Sequence, residues 1–547
     1  MSGSDDRLKR GRIGVAALVV GGGILASRLL GVLREVVFAA LLGATGVTDT
    51  YVAAFRIPDY ANYLLAGGFL TITFIPIFAR YLAWRDEEEG WRGFTAILRW
   101  LALGVSGLVV AGWVAAPVVL GALYPDFTPA QLAETVRLTR IVIPAQLAFV
   151  LGAMFAAVQY AKGYFVVPAF APVLYNLGII AGGVGFTVWR GEASPEGFIW
   201  GALVGAFAGN FALQLWGARR VGMRLDFSAP WRHPAVRQYV LIALPLMLGQ
   251  SIVALDETFM SVFGGLVGPG AQTRLLYARR TMLVPVGIIA QAAAVAAYPF
   301  LARLFAEGNV AAMRRTVDRA LRWVLVLGIG AAGLLAALAL PIVRTLFERF
   351  AFGPADSAAA AAALFFYAFA VPIWGALQIL TRAFYARREM WTPVVVGTGV
   401  TVVAIPTYLL LAGGFGIRGV ATASVVSLGL YTVALAVLWY RRAESLAGLR
   451  SVLAAAGRAI PLAVPAAGAA FGASWLVARL VPSPATVQGL LATLAGTGAF
   501  AAVVLGFGSG LHDLLRRPLP AVGDAVGPGG GAATGPGSEV GGGQAGG

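Results

Sequence analysis

Apolar runs of roughly 20 or more residues recur along almost the whole chain, and each is long enough to cross about 30 Å of hydrocarbon as a helix. Composition agrees: 59% of the 547 residues are hydrophobic, only 12% are charged, and the mean hydropathy is +0.80. A soluble chain of this length would need far more charge to cover its surface. The 71 glycines suit transmembrane helices that approach one another closely. The fold class this predicts is an all-α polytopic membrane protein.

About fourteen spans are expected. In the first half they cover 13–42, 48–82, 93–122, 133–161, 164–189 and 197–218. In the second half they cover 237–264, 272–304, 316–345, 357–385, 391–412 and 416–440, followed by a final pair at 459–480 and 486–510. Pro58, Pro76, Pro144, Pro285, Pro299 and Pro372 fall inside spans, where proline kinks a helix and frees a carbonyl.

The connecting loops alternate in charge. Arg80, Arg85 and Arg92, then Lys162, then Arg219, Arg220, Arg224, Arg232 and Arg237, share one side with the N-terminus. Arg314, Arg315, Arg387, Arg388, Arg441, Arg442, Arg450, Arg516 and Arg517 join them, whereas 43–47 and 265–271 carry no Lys or Arg. The positive-inside rule then places both termini in the cytoplasm. The same distribution accounts for the net charge of +16 without a nucleic-acid partner. Arg7, Lys9, Arg10 and Arg12 precede an apolar run that lacks a small-residue cleavage site, so 1–12 reads as a cytoplasmic segment before a retained first helix. The Gly-rich stretch 519–547 is expected to be a disordered tail.

The chain has no cysteine, and its only histidines are His233 and His512. Disulfide and thiolate chemistry are therefore excluded, and neither a metal centre nor a covalent catalytic site is expected. No P-loop of the G-x-x-x-x-G-K type is present, so direct use of ATP is not expected.

The two halves repeat. Leu33-Arg34-Glu35 recurs as Leu255-Asp256-Glu257, Pro76-Ile77-Phe78-Ala79-Arg80 as Pro299-Phe300-Leu301-Ala302-Arg303, and Tyr160-Ala161-Lys162 as Tyr385-Ala386-Arg387. From residue 35 to 257, 76 to 299 and 160 to 385 the offsets are 222, 223 and 225. Agreement among three short matches points to two lobes, 13–221 and 237–442, joined by a cytoplasmic connector at 222–236, with the helices of 459–510 appended. About six spans separate the copies, so they keep the same orientation and are related by an axis along the membrane normal. A site at the lobe interface follows from that symmetry.

Ionisable residues inside spans cost about 2.5–3.5 kcal/mol each at a helix centre, so each should face a cavity or a partner. The first helix carries Arg28, Arg34 and Glu35, and the second carries Asp49, Arg56 and Asp59. The seventh carries Asp256 and Glu257, and the eighth Arg274, Arg279 and Arg280. These are the first two helices of each lobe. Arginine exceeds carboxylate, so the shared cavity is expected to be cationic, and a planar guanidinium matches phosphate or diphosphate oxygens. The plainer alternative is internal neutralisation, with Arg34 on Glu35 or Asp49 and Arg56 on Asp59. Asp256 and Glu257 are candidates for Na+ or proton coupling, or else partners of Arg279 and Arg280.

At these residues the sequence resembles the MurJ/MviN family. Ser27-Arg28-Leu29-Leu30-Gly31-Val32-Leu33-Arg34-Glu35 is similar to that family's first-helix signature, and Gly43 through Thr48-Asp49-Thr50-Tyr51 to Phe55-Arg56-Ile57-Pro58 to the opening of its second helix. Phe74-Ile75-Pro76, Tyr277-Ala278-Arg279-Arg280 and Pro285-Val286-Gly287 fit as well. The resemblance implies the lipid II flippase fold of the MOP exporter superfamily: two six-helix lobes in a V, plus two helices that form a groove for a polyprenyl tail. It implies as cargo undecaprenyl-diphosphate-linked MurNAc-pentapeptide-GlcNAc, moved to the periplasmic leaflet for peptidoglycan synthesis. Carried over by position, Arg28, Arg34 and Arg280 match functional arginines of the family, and Asp49 its loop-proximal acid. Where the family commonly has an arginine pair and then Ala-Glu-Gly, this chain has Asn62-Tyr63 and Ala66-Gly67-Gly68. Arg279 stands in place of an acid, and Leu283 in place of another.

The combined expectation is a monomeric flippase working by alternating access. Arg28, Arg34, Arg56, Arg279 and Arg280 would hold the diphosphate, and Ser27, Glu35, Asp49 and Asp59 would line the cavity or gate. Membrane potential, with Na+ or H+, would drive the cycle without a cofactor. Alternatives are an exporter of another polyprenyl-diphosphate glycan, a MATE-like small-molecule exporter, which would want an acidic cavity, and a membrane glycosyltransferase, which would want catalytic carboxylates beside a groove or a long outer loop.

Overall fold

The computed structural model describes residues 22–23, 26–65, 69–83, 86–443 and 446–507. The segment 1–12, the tail 519–547, Arg85 and Ala66-Gly67-Gly68 lie outside the described residues. Among the described residues the chain is helical, and the sole extended pairing is a bridge between Arg349 and Phe352. Eight helices are long and apolar enough to cross a membrane, or nine when Pro354–Ala368 and Ala370–Ala386, bent by 43°, count as one span. The segments 26–42, 46–83, 234–267 and 271–306, which carry the charges singled out above, lie outside that set.

Fourteen spans are compatible with this arrangement. Trp391–Ala443 joins two expected spans, 391–412 and 416–440, without an intervening loop. The join is at Gly416, whose φ of 56° and ψ of −132° interrupt the helical path, a conformation glycine adopts without a Cβ clash.

Prolines account for the other breaks. Pro58 cannot donate to the carbonyl of Ala54, and the second span is broken there into Gly46–Ala54 and Arg56–Leu65. The freed Ala54 carbonyl accepts instead from the Thr139 hydroxyl at 3.0 Å, so the break leaves no orphan acceptor in the apolar interior. Pro372 acts likewise on Ala368, where the bent pair divides.

The buried side chains fall into an arrangement like a V. At the end bearing 43–47 and 265–271, one continuous core joins both halves, with Phe38, Leu138 and Phe198 from the first and Met260, Tyr277 and Tyr408 from the second. Towards the arginine-rich end the core splits. Phe74, Phe94 and Met154 anchor one arm, and Leu301, Leu321 and Phe384 the other. The start of Pro234–Val267 packs on the first arm through Ala235, Tyr239 and Ala243.

The connector 222–236 is strapped to Glu87–Leu123. Arg92 pairs with Asp226 at 3.1 Å, and the Asp226 amide donates to Thr95 at 3.0 Å. His233 Nδ1 accepts from the Ala235 amide, which leaves Nε2 to donate to Glu89 at 2.9 Å. The final helices, Leu446–Leu480 and Ala485–Phe507, pack on Val310–Ala337 and Ala339–Phe347, outside the V.

Candidate functional site between the two halves

A pocket of about 300 Å³ lies among the charged spans. Arg34, Glu35, Tyr51, Arg56, Asp59 and Arg280 line it, together with the polar side chains Asn62, Gln146 and Tyr175. A carboxylate ties the halves together here. Glu35 accepts from Arg34 at 2.5 Å in its own half and lies 3.3 Å from the Nε of Arg280 in the other. The second tie runs in reverse: Arg56 lies 3.0 Å from Asp59 and 3.4 Å from Glu257, which belongs to the opposite half.

The guanidiniums are not equally available. The Arg56 side chain is 5% exposed and Arg34 16%, whereas Arg280 is 46% exposed. Arg34 is further fixed by donating to Asn176 at 3.2 Å. Asn176 also donates to the carbonyl of Pro172, and reaches the carbonyl of Ser27 at 3.5 Å. Arg28 is exposed, and its guanidinium rests on Gly287, where a Cβ would come within 2.5 Å of Nη1. Gly287 opens the π-helical turn Gly287–Gln291 that follows Pro285, so the bare backbone and the widened turn occur together.

Two expectations change. Arg34, Arg56 and Arg280 line the pocket with Glu35 and Asp59, an excess of one arginine, but Glu257 pairs with Arg56 from the opposite half, so the exposed guanidiniums narrow to Arg280 and Arg28. Arg279 does not join Arg280 on the pocket. It is buried at 4% exposure, pairs with Asp256 and lies over the Trp374 ring at 5.3 Å. One residue apart on a helix, the two side chains point about 100° apart, and only one can face the seam. Asp256 also accepts from Tyr408 at 3.1 Å and Ser424 at 2.8 Å, so its oxygens are already engaged. Glu257 serves Arg56.

Asp49 is not in the pocket and does not touch Arg34. It lies at the closed apex, 2% exposed, bonded to Gly270 and Thr273 of the other half. Beside it Arg274 donates to the Ala44 carbonyl at 3.3 Å and pairs with Asp356 at 2.8 Å.

A second, apolar cavity of about 800 Å³ faces away from the seam. It runs between Val310–Ala337, the bent pair and Leu446–Leu480, and Leu340, Phe365, Phe369, Ile460, Val464 and Phe471 are among its walls. No described residue of Ala485–Phe507 lines it, so only the first helix of the final pair contributes to this cavity.

Sequence reasoning missed Asn176, Tyr408, Ser424 and Gly287. Asn176 carried a signal, a single amide in the apolar run Val166–Arg190, and Gly287 stood in the Pro285-Val286-Gly287 motif without a role; Tyr408 and Ser424 are ordinary residues in spans until their partners are known.

The profile of the family described as "Lipid II flippase MurJ" matches residues 38–485. A curated relative from Rhizobium meliloti, "Probable lipid II flippase MurJ", is 29% identical over 513 residues, which cover 91% of this chain and 95% of the relative. "Lipid II flippase MurJ" of Burkholderia cenocepacia is 29% identical over 71% of this chain and 76% of its own. Among solved structures, "Lipid II flippase MurJ, inward closed conformation" superposes with a TM-score of 0.71 at 18% identity, over 90% of this chain and all of that one. An inward-facing multidrug MATE transporter of the MOP superfamily gives 0.61 at 15% identity, over 80% of this chain and 98% of its own. Both superpositions speak to the fold alone. With a profile match across both halves and relatives aligned over most of their length, this chain belongs to the lipid II flippase MurJ family.

Proposed function

We propose that the chain moves lipid II from the cytoplasmic to the periplasmic leaflet of the bacterial inner membrane by alternating access. The observation that carries this reading is the Arg34–Glu35–Arg280 bridge across the seam. A diphosphate is a bidentate acceptor for the same guanidiniums, so it competes with Glu35 for Arg280 and Arg34. Displacing Glu35 removes one of the ties between the halves, which couples cargo binding to their relative movement. Arg28, exposed one helical turn and a half before Arg34, extends the anion path towards the arginine-rich end. Asp59 and Asn62 complete the polar wall.

In this reading the halves are lobes 13–221 and 237–442, the V opens to the cytoplasm, and both termini lie there. The apolar cavity on Leu446–Leu480 takes the polyprenyl tail while the headgroup crosses. The protein acts as a monomer, without ATP or a cofactor. Arg279 serves as a tethered cation at Asp256, so a coupling ion is assigned elsewhere than Asp256. With the interior negative, outward movement of an anion gains about 2.3 kcal/mol per charge per 100 mV.

Depleting the resident lipid II flippase of a tractable bacterium and expressing this chain tests the reading. Growth and lipid II export should be restored. Failure despite good membrane expression overturns lipid II as cargo. Export of a different lipid-linked sugar in the same cells would instead favour another polyprenyl-diphosphate glycan, which shares the anion chemistry. The replacement Asn62-Tyr63 in the second helix motivates that comparison.

A further inference from the structure

A third cavity, of about 430 Å³, opens between Glu87–Leu123 and the start of Pro234–Val267. Its wall is apolar, with Ile97, Trp100, Gly104, Val240 and Leu244 among the contributors. One polar atom interrupts it. Tyr239 lines the cavity at 3% exposure, and its hydroxyl has no hydrogen-bond partner. Buried phenols ordinarily find an acceptor, so this one points to a partner that is not protein.

The rim has the chemistry of a membrane interface. Trp100 donates to the Trp231 carbonyl at 2.9 Å, and Arg99 donates to the carbonyls of Ala229 and Phe227 while lying 5.3 Å from the Phe227 and Trp231 rings. Tryptophan and arginine at this level mark the headgroup region. Arg99, Arg232 and Arg237 take part in no ion pair among the described residues. The nearby acids are already engaged, Asp226 by Arg92 and Glu89 by His233 and Arg92. Arg237 precedes Val240 and Leu244 by three and seven residues, which places it on the cavity face of its helix. From Val236 to Leu244 the cavity descends about 12 Å along that helix, the depth of a glycerol backbone and the first acyl carbons.

We infer that this cavity binds an anionic glycerophospholipid of the arginine-rich leaflet. The phosphate sits at the Arg99–Arg237 rim, an ester carbonyl accepts from the Tyr239 hydroxyl, and an acyl chain lies along Val240 and Leu244. One wall belongs to the first half and the other to the opening helix of the second, so the lipid fills the seam beneath the connector. This site is separate from the charged pocket and does not depend on which cargo crosses it.

Native mass spectrometry of the full chain, reconstituted with phosphatidylglycerol or with phosphatidylcholine of the same acyl chains, tests the inference. Retention of one phosphatidylglycerol is expected, favoured about tenfold or more over phosphatidylcholine. Arg237→Gln should narrow that preference. Tyr239→Phe should weaken retention about three- to tenfold by removing one hydrogen bond. Gly104→Phe should abolish it, because a Cβ at Gly104 meets nothing within 4 Å and the ring enters the cavity. Equal retention of the two lipids by the unaltered chain overturns the inference. Undiminished phosphatidylglycerol retention in Tyr239→Phe, a substitution that removes one atom from the fold, or in Gly104→Phe, does so as well.

Discussion

The carboxylate of Asp49 caps a helix to which it does not belong. Its Oδ1 accepts from the amide of Thr273 at 3.0 Å and from the Thr273 hydroxyl at 2.7 Å, and its Oδ2 accepts from the amide of Gly270 at 2.6 Å. Helix Ala271–Val286 starts after Gly270, which has no side chain to satisfy the first amides. The other half supplies the missing cap, and opening the apex breaks it. Replacing a capping acid by alanine costs about 0.5–2 kcal/mol, so Asp49→Ala should shift the halves towards an apex-open state. Distances between spin labels on the 43–47 and 265–271 loops should lengthen, and an unchanged distribution would show that the cap does not hold the apex.

The same apex offers a lock. A Cβ built on Gly46 lies 3.6 Å from the Cβ of Pro269, within the span of a disulfide, and the chain contains no cysteine to compete. Oxidised Gly46→Cys/Pro269→Cys should stop lipid II export, and reductant should restore it. Export that continues while the bond is intact would sink alternating access through this apex.

Arg280 is the accessible member of the charged pocket. Losing a charge-assisted hydrogen bond is worth about 1.5–3 kcal/mol, so Arg280→Ala should weaken binding of a lipid-linked diphosphate about 10- to 150-fold. Arg280→Lys should restore only part, since an ammonium lacks the bidentate fork. Binding of a labelled polyprenyl diphosphate in detergent reads both variants.

The buried Arg279–Asp256 pair predicts non-additivity. Arg279→Met alone leaves a buried carboxylate and should destabilise the fold by about 3–5 kcal/mol, whereas Arg279→Met with Asp256→Leu should recover most of the loss. Thermal unfolding of the two singles and the double gives the cycle. A stable Asp256→Asn that no longer transports would return Asp256 to the list of coupling groups.

Asp226 sets a pH limit on the connector. Hydrogen bonds from the Ser228 hydroxyl and amide, and then the Arg92 guanidinium, hold its carboxyl below the ordinary carboxylate range. A lowered folded value means the latch is at full strength above about pH 4, the unfolded value, and weakens as pH falls through the folded one. The melting difference between the unaltered chain and Asp226→Asn should be constant from about pH 5 to 8 and shrink only in stronger acid. A difference that disappears near neutrality would contradict the assignment.

Much of this molecule is written in one dimension. Apolar length alone makes 93–122 and 459–480 cross a bilayer, because lipid leaves a backbone no partner but its own helix. The runs Ser27–Glu35, Gly43–Pro58 and Tyr277–Arg280 together carried the resemblance to the family, and the charges at 28, 34, 35, 49, 56, 256, 257, 279 and 280 marked which spans meet. What the sequence could not decide was which charge faces which. Whether Arg279 or Arg280 looks into the seam depends on the rotation of one helix about its axis, set by packing against Trp374 and Asp256. Whether Asp49 lines a cavity or caps a distant helix depends on where residues 221 and 224 positions away come to rest. Composition counted the arginines as a surplus. Only the tertiary structure showed Glu35 and Glu257 reaching across the seam, since charge pairing between remote segments is a property of distance in space, and sequence records distance only along the chain.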